Sequence, residues 1–309
     1  MRVYRNLKQL PEFNRPIVTI GSYDGVHKGH RKIIQQLIDI AKGKNLENVV
    51  ITFDPHPRHF LFPEQKDLFL INTIEEKALV MDNLGVNHMV VVPFDQSFAD
   101  QSGEQYVEKF LVHHFNPSVI IIGYDHKFGK NRSANIDFLR AQTTIHNFDI
   151  VEIPKQEIKD LAISSTRIRQ AIKNCEIQLA NQLLGYEYEF RGQVIHGQKI
   201  GTSLGYPTAN LKPLHDRKII PGDGVYATKV KHEGKWLQGM LYIGYRPTLQ
   251  GKERTIEVFI FDFDRNIYGA ELCVVPVKCL RGDMTFDSLE ELKIQITKDH
   301  QNAIKAFDE

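Results

Sequence analysis

The feature that most constrains this chain is a change of hydrophobic rhythm near residue 185. Before it, short runs rich in Val and Ile, PIVTIGS (16–22), NVVITFD (48–54), HMVVVPF (88–94), PSVIIIG (117–123) and FDIVEIP (148–154), alternate with stretches of helical spacing. Runs this short and continuous are what strands buried on both faces of a parallel sheet require. Between the first two, Ile33, Ile34, Leu37, Ile38 and Ala41 recur at helical spacing, and residues 75–84 and 103–115 read as further helices. The pattern predicts an α/β domain with a doubly wound parallel sheet. After Leu184, Tyr186, Tyr188 and Phe190 alternate with polar residues. VYATKVKH (225–232), KWLQGMLYIG (235–244), TIEVFIFDF (255–263) and ELCVVPVKCL (271–280) then follow between turn sequences such as PGDG and HEG. This half predicts a small closed antiparallel β-barrel, with SLEELKIQITKDHQNAIKAF as a C-terminal helix packed on it. The expected division is 1–184 and 185–309.

Charge and composition narrow the function classes. In 309 residues, 39 Lys+Arg oppose 38 Asp+Glu for a formal charge of +1, which argues against wholesale binding of nucleic acid or an anionic membrane. No segment reaches the ~20 apolar residues that span a bilayer, and MRVYRNLKQLPEFNRP lacks the apolar core of a signal peptide. Cys175, Cys273 and Cys279 form no CxxC pair, so they read as reduced thiols of a cytoplasmic protein and not as a disulfide framework or zinc site.

The first run leads directly into Gly21-Ser22-Tyr23-Asp24-Gly25-Val26-His27-Lys28-Gly29-His30, with a helix beginning near His30. Ligands of such sheets sit at the carboxyl ends of strands, and a helix N-terminus offers free N–H groups to phosphate. Gly21, Gly25 and Gly29 let backbone approach a nucleotide, and His27 and His30 are placed to bond phosphate oxygens as charge develops. The spacing is neither GxGxxG nor GxxxxGK[ST]. Alone, the segment also reads as a Gly-rich turn with two surface histidines. Three further clusters fall at strand ends or a helix start: Asp54 and His56; Asp125 and Phe128, followed by Lys130 and Arg132; and Ser164, Ser165, Thr166 and Arg169, which alone would be ordinary capping.

The barrel half carries a second constellation. Gly197, Gly201 and Gly205 are spaced by four residues around Lys199, and Thr208 and Asn210 offer oxygen ligands suited to Mg²⁺. As composition alone this is also an ordinary hairpin loop. Period two puts Glu257 on one strand face with Phe259, Phe261 and Phe263. A carboxylate beside aromatics is partly desolvated, the condition under which it becomes a useful general base. The competing reading is an edge glutamate in solvent.

His27-x-Gly29-His30 resembles the HxGH signature of the nucleotidylyltransferase superfamily, and the Ser164–Arg169 segment resembles that superfamily's second ATP-binding block. Gly205-Tyr206-Pro207-Thr208-Ala209-Asn210 resembles the GxPTAN signature of flavokinases. With the blocks in the same order from about residue 15 to 305, the chain is similar to prokaryotic bifunctional riboflavin kinase/FAD synthetases. The resemblance implies adenylylation of FMN by the first half and phosphorylation of riboflavin by the second, with ATP and Mg²⁺. It implies His27 and His30 on the ATP phosphates, with Gly21, Ser22, Asp24, Gly29, Ser164, Ser165, Thr166 and Arg169 around the nucleotide. Asp54, His56, Asp125 and Phe128 would then border the flavin. In the barrel it implies Glu257 as the base toward the riboflavin hydroxyl, Thr208 and Asn210 on the metal, and Gly197, Lys199, Gly201 and Gly205 around the phosphates. The family commonly has Arg where this chain has Thr202, which bears on phosphate affinity. One alternative keeps the first half but changes its phosphorylated acceptor and makes the barrel non-catalytic. Another makes the chain an RNA-binding relative of class I aminoacyl-tRNA synthetases, against which the +1 charge stands.

Overall fold

The computed structural model describes residues 1–65, 67–124, 126–154, 163–197, 201, 204–248 and 251–308. The chain forms two compact units, Met1–Leu68 with Asn72–Ser165, and Phe69–Ile71 with Thr166–Glu309.

The first unit is built on a parallel sheet of β1 (Arg2–Tyr4), β2 (Ile17–Ile20), β3 (Asn48–Asp54), β4 (His88–Pro93), β5 (Val119–Gly123) and β6 (Asp149–Ile153), in the order β1-β4-β3-β2-β5-β6. All of its neighbouring pairs are parallel. Alternate residues feed two cores. Val18, Ile20, Val49, Ile51, Ile120 and Ile122 meet Phe110, Phe115 and Leu139 on one face. Ile17, Val50, Met89, Val91 and Ile121 meet Ile34, Leu37, Ile38 and Met81 on the other. This is the two-sided burial that the continuous Val/Ile runs demand. The order reverses beside β2, so the carboxyl end of β2 opens at the topological switch point.

Two features of this unit have no counterpart in the sequence pattern. β1 is three residues long and is an edge strand held by β4, with Val3 exposed. Within 103–115, Tyr106–Val112 is a π-helix between short α segments, burying Tyr106, Val107, Phe110 and Leu111. The expected helix near His30 starts at Lys28 and runs to Lys44, with Asn45 closing it at φ 54°.

The second unit contains helices Ser165–Lys173 and Ile177–Leu184, of which the first begins one residue earlier, and a closed barrel. Its strands are β7 (Phe190–Ile195), β8 (Ala209–Pro213), β9 (Gly224–His232), β10 (Lys235–Thr248), β11 (Gly251–Ile260) and β12 (Glu271–Gly282), ordered β10-β11-β8-β7-β12-β9. Buried cross-strand neighbours such as Tyr226 opposite Leu241, Leu241 opposite Val258 and Ile243 opposite Ile256 fill the barrel. The alternate residues Val225, Ala227 and Met240, with Tyr242 and Phe259, are covered by Ala303, Ala306 and Phe307 of the helix Leu289–Asp308. That helix is clamped to β12 by Arg281, whose Nε and Nη2 donate to Asp299 at 2.8–3.1 Å.

Candidate functional site

In the first unit, the chain leaving β2 makes a turn with Tyr23 at φ 45°, Gly25 at 88° and Val26 at 34°. A β-branched residue at positive φ is strained and persists only where surroundings hold it. Val26 is fully buried, and its N–H donates to the Tyr23 carbonyl at 3.2 Å. The turn delivers His27 to the N-cap of Lys28–Lys44, where its Nδ1 accepts the His30 N–H at 3.3 Å. The two imidazoles stack, with centroids 3.6 Å apart and planes 15° apart, and the His30 ring meets Tyr23 edge-on at 5.2 Å.

Burial first, then the neighbouring His27 and Lys77, push the His30 imidazole well below the usual histidine range. It is therefore neutral at neutral pH, and its Nδ1 is buried with no hydrogen-bond partner. An orphaned polar atom at a strained loop and a helix N-terminus marks a place for a ligand. Burial likewise pushes the Tyr23 phenol up, opposed by its bond to Thr19 Oγ1 at 2.6 Å.

Other expected residues surround this turn in different ways. The Ser22 carbonyl accepts from Lys77 Nζ at 2.7 Å and from Thr52 Oγ1 at 3.1 Å. Asp24 is buried, its carboxylate accepting the Asn72 N–H at 3.2 Å and its carbonyl the Ser165 hydroxyl at 2.9 Å. Gly29 is buried in the first turn of the helix. Asp54 ends β3, next to β2, with Arg5 3.9 Å away, and His56 caps the short helix Pro57–Leu61 by accepting the Arg58 N–H. Phe128 belongs to the core, its ring 4.7 Å from that of Tyr106, and Ser164 directly precedes the helix that starts at Ser165. Asp125 lies outside the described residues. Thr166 and Arg169 belong to the second unit, where Arg169 Nε donates to the Phe69 carbonyl at 2.7 Å.

Sequence reading missed Lys77. Its signal is faint: Lys77 precedes Met81 by one helical turn in Ile74–Leu84, and both are buried. Burial pulls its ammonium down to about 8, partly opposed by the charges of Asp24 and Asp54.

In the second unit, Glu257 is 3% exposed on β11, directly across from Asn210 on β8. Its Oε2 accepts the Thr208 hydroxyl at 3.0 Å and its Oε1 the Thr255 hydroxyl at 3.3 Å. The glutamate is thus buried and held by hydroxyls. It shares its face with Phe259, as expected, but β11 ends at Ile260, so the strict alternation does not extend to Phe263, which packs against His232 instead.

Gly197 lies against Asn210, since a Cβ there would overlap the Asn210 amide. A Cβ on Gly201 would overlap the Tyr206 carbonyl and lie 3.3 Å from Thr208 Oγ1. Gly205 takes φ 85°, the left-handed turn into Tyr206. Tyr206 rests edge-on against Phe259 at 5.3 Å, and its hydroxyl meets Thr297 Oγ1 at 3.1 Å on the C-terminal helix. Gly197, Gly201, Thr208, Asn210 and Glu257 therefore come together. Lys199 and Thr202 lie outside the described residues.

Among the described residues no group of three His, Cys, Asp or Glu side chains could hold a metal. The donors at Thr208, Asn210 and Glu257 are oxygens, a set that suits a hard cation shared with substrate phosphates.

Comparison with known proteins identifies the family of both halves. A family model for FAD synthetase matches residues 10–167, and one for riboflavin kinase matches residues 184–307. The bifunctional riboflavin kinase/FMN adenylyltransferase of Haemophilus influenzae is 38% identical over 292 residues, covering 94% of this chain and 93% of its own. The protein of the same name in Escherichia coli K12 is 35% identical over 308 residues, covering 99% and 97%. A crystal structure from Streptococcus pneumoniae, described as a macrolide-efflux protein, matches with a TM-score of 0.86 at 31% identity, covering 97% of both chains. Among the described residues, no helix of this protein is long and apolar enough to cross a membrane.

Proposed function

The chain belongs to the family of bifunctional riboflavin kinase/FMN adenylyltransferases, and from that premise we propose how its residues divide the work. Its riboflavin kinase half phosphorylates riboflavin to FMN with ATP, and its FAD synthetase half adenylylates FMN to FAD. A barrel without catalysis is not favoured, because the riboflavin kinase model matches 184–307.

In the barrel, Glu257 takes the proton of the riboflavin 5′-hydroxyl as that oxygen attacks the γ-phosphate, and the bond to the β,γ-bridging oxygen breaks to release ADP. The Thr208 hydroxyl bond orients the carboxylate, and Thr255 restrains its other oxygen. Gly197, Gly201 and Gly205, with Lys199, give the polyphosphate its approach, while Thr208 and Asn210 would hold Mg²⁺. Bound there, Mg²⁺ would supply charge neutralisation to the ATP phosphates.

In the first unit, the FMN phosphate is already a nucleophile, so the chain's task is positioning and electrostatics. His27 and His30 bond the ATP phosphates as pyrophosphate leaves, the orphaned His30 Nδ1 gaining its missing partner. Gly21, Ser22, Asp24 and Gly29 shape the loop, and Ser164, Ser165, Thr166 and Arg169, which fall within the 1–184 half of the sequence but of which Thr166 and Arg169 belong to the second unit, are read as the second block. Asp54, His56 and Asp125 stand on the flavin side of this reading, whereas the Phe128 ring is packed in the core. We divide the domains at 184/185 and place the protein in the cytoplasm.

The observation that carries this division is that the stacked His27–His30 pair and the Thr208–Asn210–Glu257 cluster lie in different units. Purified chain is incubated with riboflavin, ATP and Mg²⁺, and the flavins are separated by chromatography. His30→Ala is expected to stop the reaction at FMN, about 10²–10³-fold slower in the second step. Glu257→Ala is expected to block FMN formation while leaving FAD synthesis from supplied FMN. Loss of both activities in either variant would refute the division.

A further inference from the structure

Lys77 sits under the His27–His30 turn and takes no part in the chemistry derived above. It is 4% exposed, and its Nζ donates to the Ser22 carbonyl at 2.7 Å and to Thr52 Oγ1 at 3.0 Å. Thr52 donates to the same carbonyl at 3.1 Å. Both hydrogen-bond acceptors of the ammonium are neutral, and the carboxylates of Asp24 and Asp54 act on it only as neighbouring charges. Burying a cation on neutral oxygens is costly, and packing alone would be better served by an apolar side chain such as Met81 one turn on. An ammonium also carries three donors, of which two are used here.

We propose that Lys77 is a positioning residue of the adenylyl-transfer site: it ties the Ser22–Asp24 turn to β3 and sets a positive charge behind the His27–His30 pair, where the phosphates of a nucleoside triphosphate arrive. This rests on the reading of the first unit as the FMN adenylyltransferase. The tie acts on a turn that carries positive φ at Tyr23 and Val26, and the Ser22 carbonyl, accepting two bonds, keeps it from relaxing. The charge acts on His30. With His27, Lys77 opposes a proton on that ring, while Asp24 and Asp54 act on Lys77 from the loop and from the end of β3. His30 thus meets ATP as a neutral imidazole with an open nitrogen.

The test uses the full chain with Lys77→Met, which removes charge and tie, and Lys77→Gln, which keeps a donor without the charge. FMN formation by the same chain is the internal control, because its residues lie in the other unit. The expected result is a fall of at least tenfold in kcat/KM for FAD synthesis in Lys77→Met, a smaller fall in Lys77→Gln, and FMN formation within twofold of wild type. NMR titration should find the His30 ring protonating at higher pH in both variants, a shift that a merely structural residue would not cause. FAD synthesis within twofold of wild type in Lys77→Met, or a His30 titration unmoved in both variants, overturns the proposal. If Lys77→Met does not fold, Lys77→Gln decides by the same His30 titration. A wild-type chain that makes no FAD from FMN defeats the functional reading itself, whereas an active wild type with an indifferent Lys77→Met defeats this inference alone.

Discussion

Asp299→Ala tests how the C-terminal helix supports the kinase site. Three hydrogen bonds join the Arg281 guanidinium to Asp299, and Gln295 Nε2 donates to Asp299 Oδ1 at 2.8 Å. The Asp299 side chain is 3% exposed and that of Arg281 16%, so removing the carboxylate leaves a largely buried cation without its counter-charge. Breaking such a pair costs about 3–5 kcal/mol. Arg281 keeps some solvent and a bond from Nη1 to the Gly282 carbonyl at 2.9 Å, which favours the lower end. At about 2–4 °C per kcal/mol for a unit near 150 residues, a loss of about 3 kcal/mol lowers the barrel transition by about 6–12 °C.

The assay is scanning calorimetry of the full chain, with both activities followed on the same samples. FMN formation should fail first on heating, because the helix carries Thr297 and His300, which meet the Tyr206 side chain. FAD synthesis from FMN should persist to higher temperature. Replacing both partners, Arg281→Met with Asp299→Leu, should recover most of the loss, because no unpaired charge remains. A shift below about 2 °C in Asp299→Ala, corresponding to under about 1 kcal/mol, would refute the view that this pair fastens the helix.

Other outcomes follow from single contacts. Gly197→Ala would push the Asn210 amide aside, so the KM for ATP in FMN formation should rise about tenfold, a loss near 1.4 kcal/mol, with stability nearly unchanged. An unaltered KM would separate Asn210 from the phosphates. His30 is held neutral in the fold but takes up a proton near 6.5 when unfolded, so the unfolded state binds more protons below that value. Stability therefore falls as pH drops through 6.5 toward the lower native value. Urea unfolding at pH 7 and pH 5.5 should show a larger drop for wild type than for His30→Gln, and equal drops would contradict the buried neutral imidazole.

Local pattern by itself determined much of this protein. The Val/Ile runs at 16–22, 48–54, 88–94, 117–123 and 148–154 coincide with β2 to β6, because a strand buried on both faces leaves no polar alternation to obscure it. Strands β9 to β12 and the terminal helix were legible for a related reason, since turn residues and periods of two and 3.6 are written within a few positions of one another, whereas β8 (Ala209–Pro213) was hidden in a segment that reads as a loop. Motif spacing likewise brought His27 beside His30, since an N-cap and its third helical residue are neighbours by helix geometry.

Tertiary structure decided what depends on partners distant in the chain. β1 has too few residues to show a period and exists through pairing with β4. A π-helix at Tyr106–Val112 buries the same stripe that an α-helix would, so composition does not distinguish them. Phe128, expected at the flavin, gives its ring to the core beside Tyr106. Lys77 looked like one more charge on a helix, yet it lies under the Ser22 carbonyl 55 residues away. The Thr208–Glu257 bond spans 49 residues and follows from the register of β8 against β11. Periodicity reports which way a side chain faces, but which groups meet is set by the summed free energy of non-local pairing.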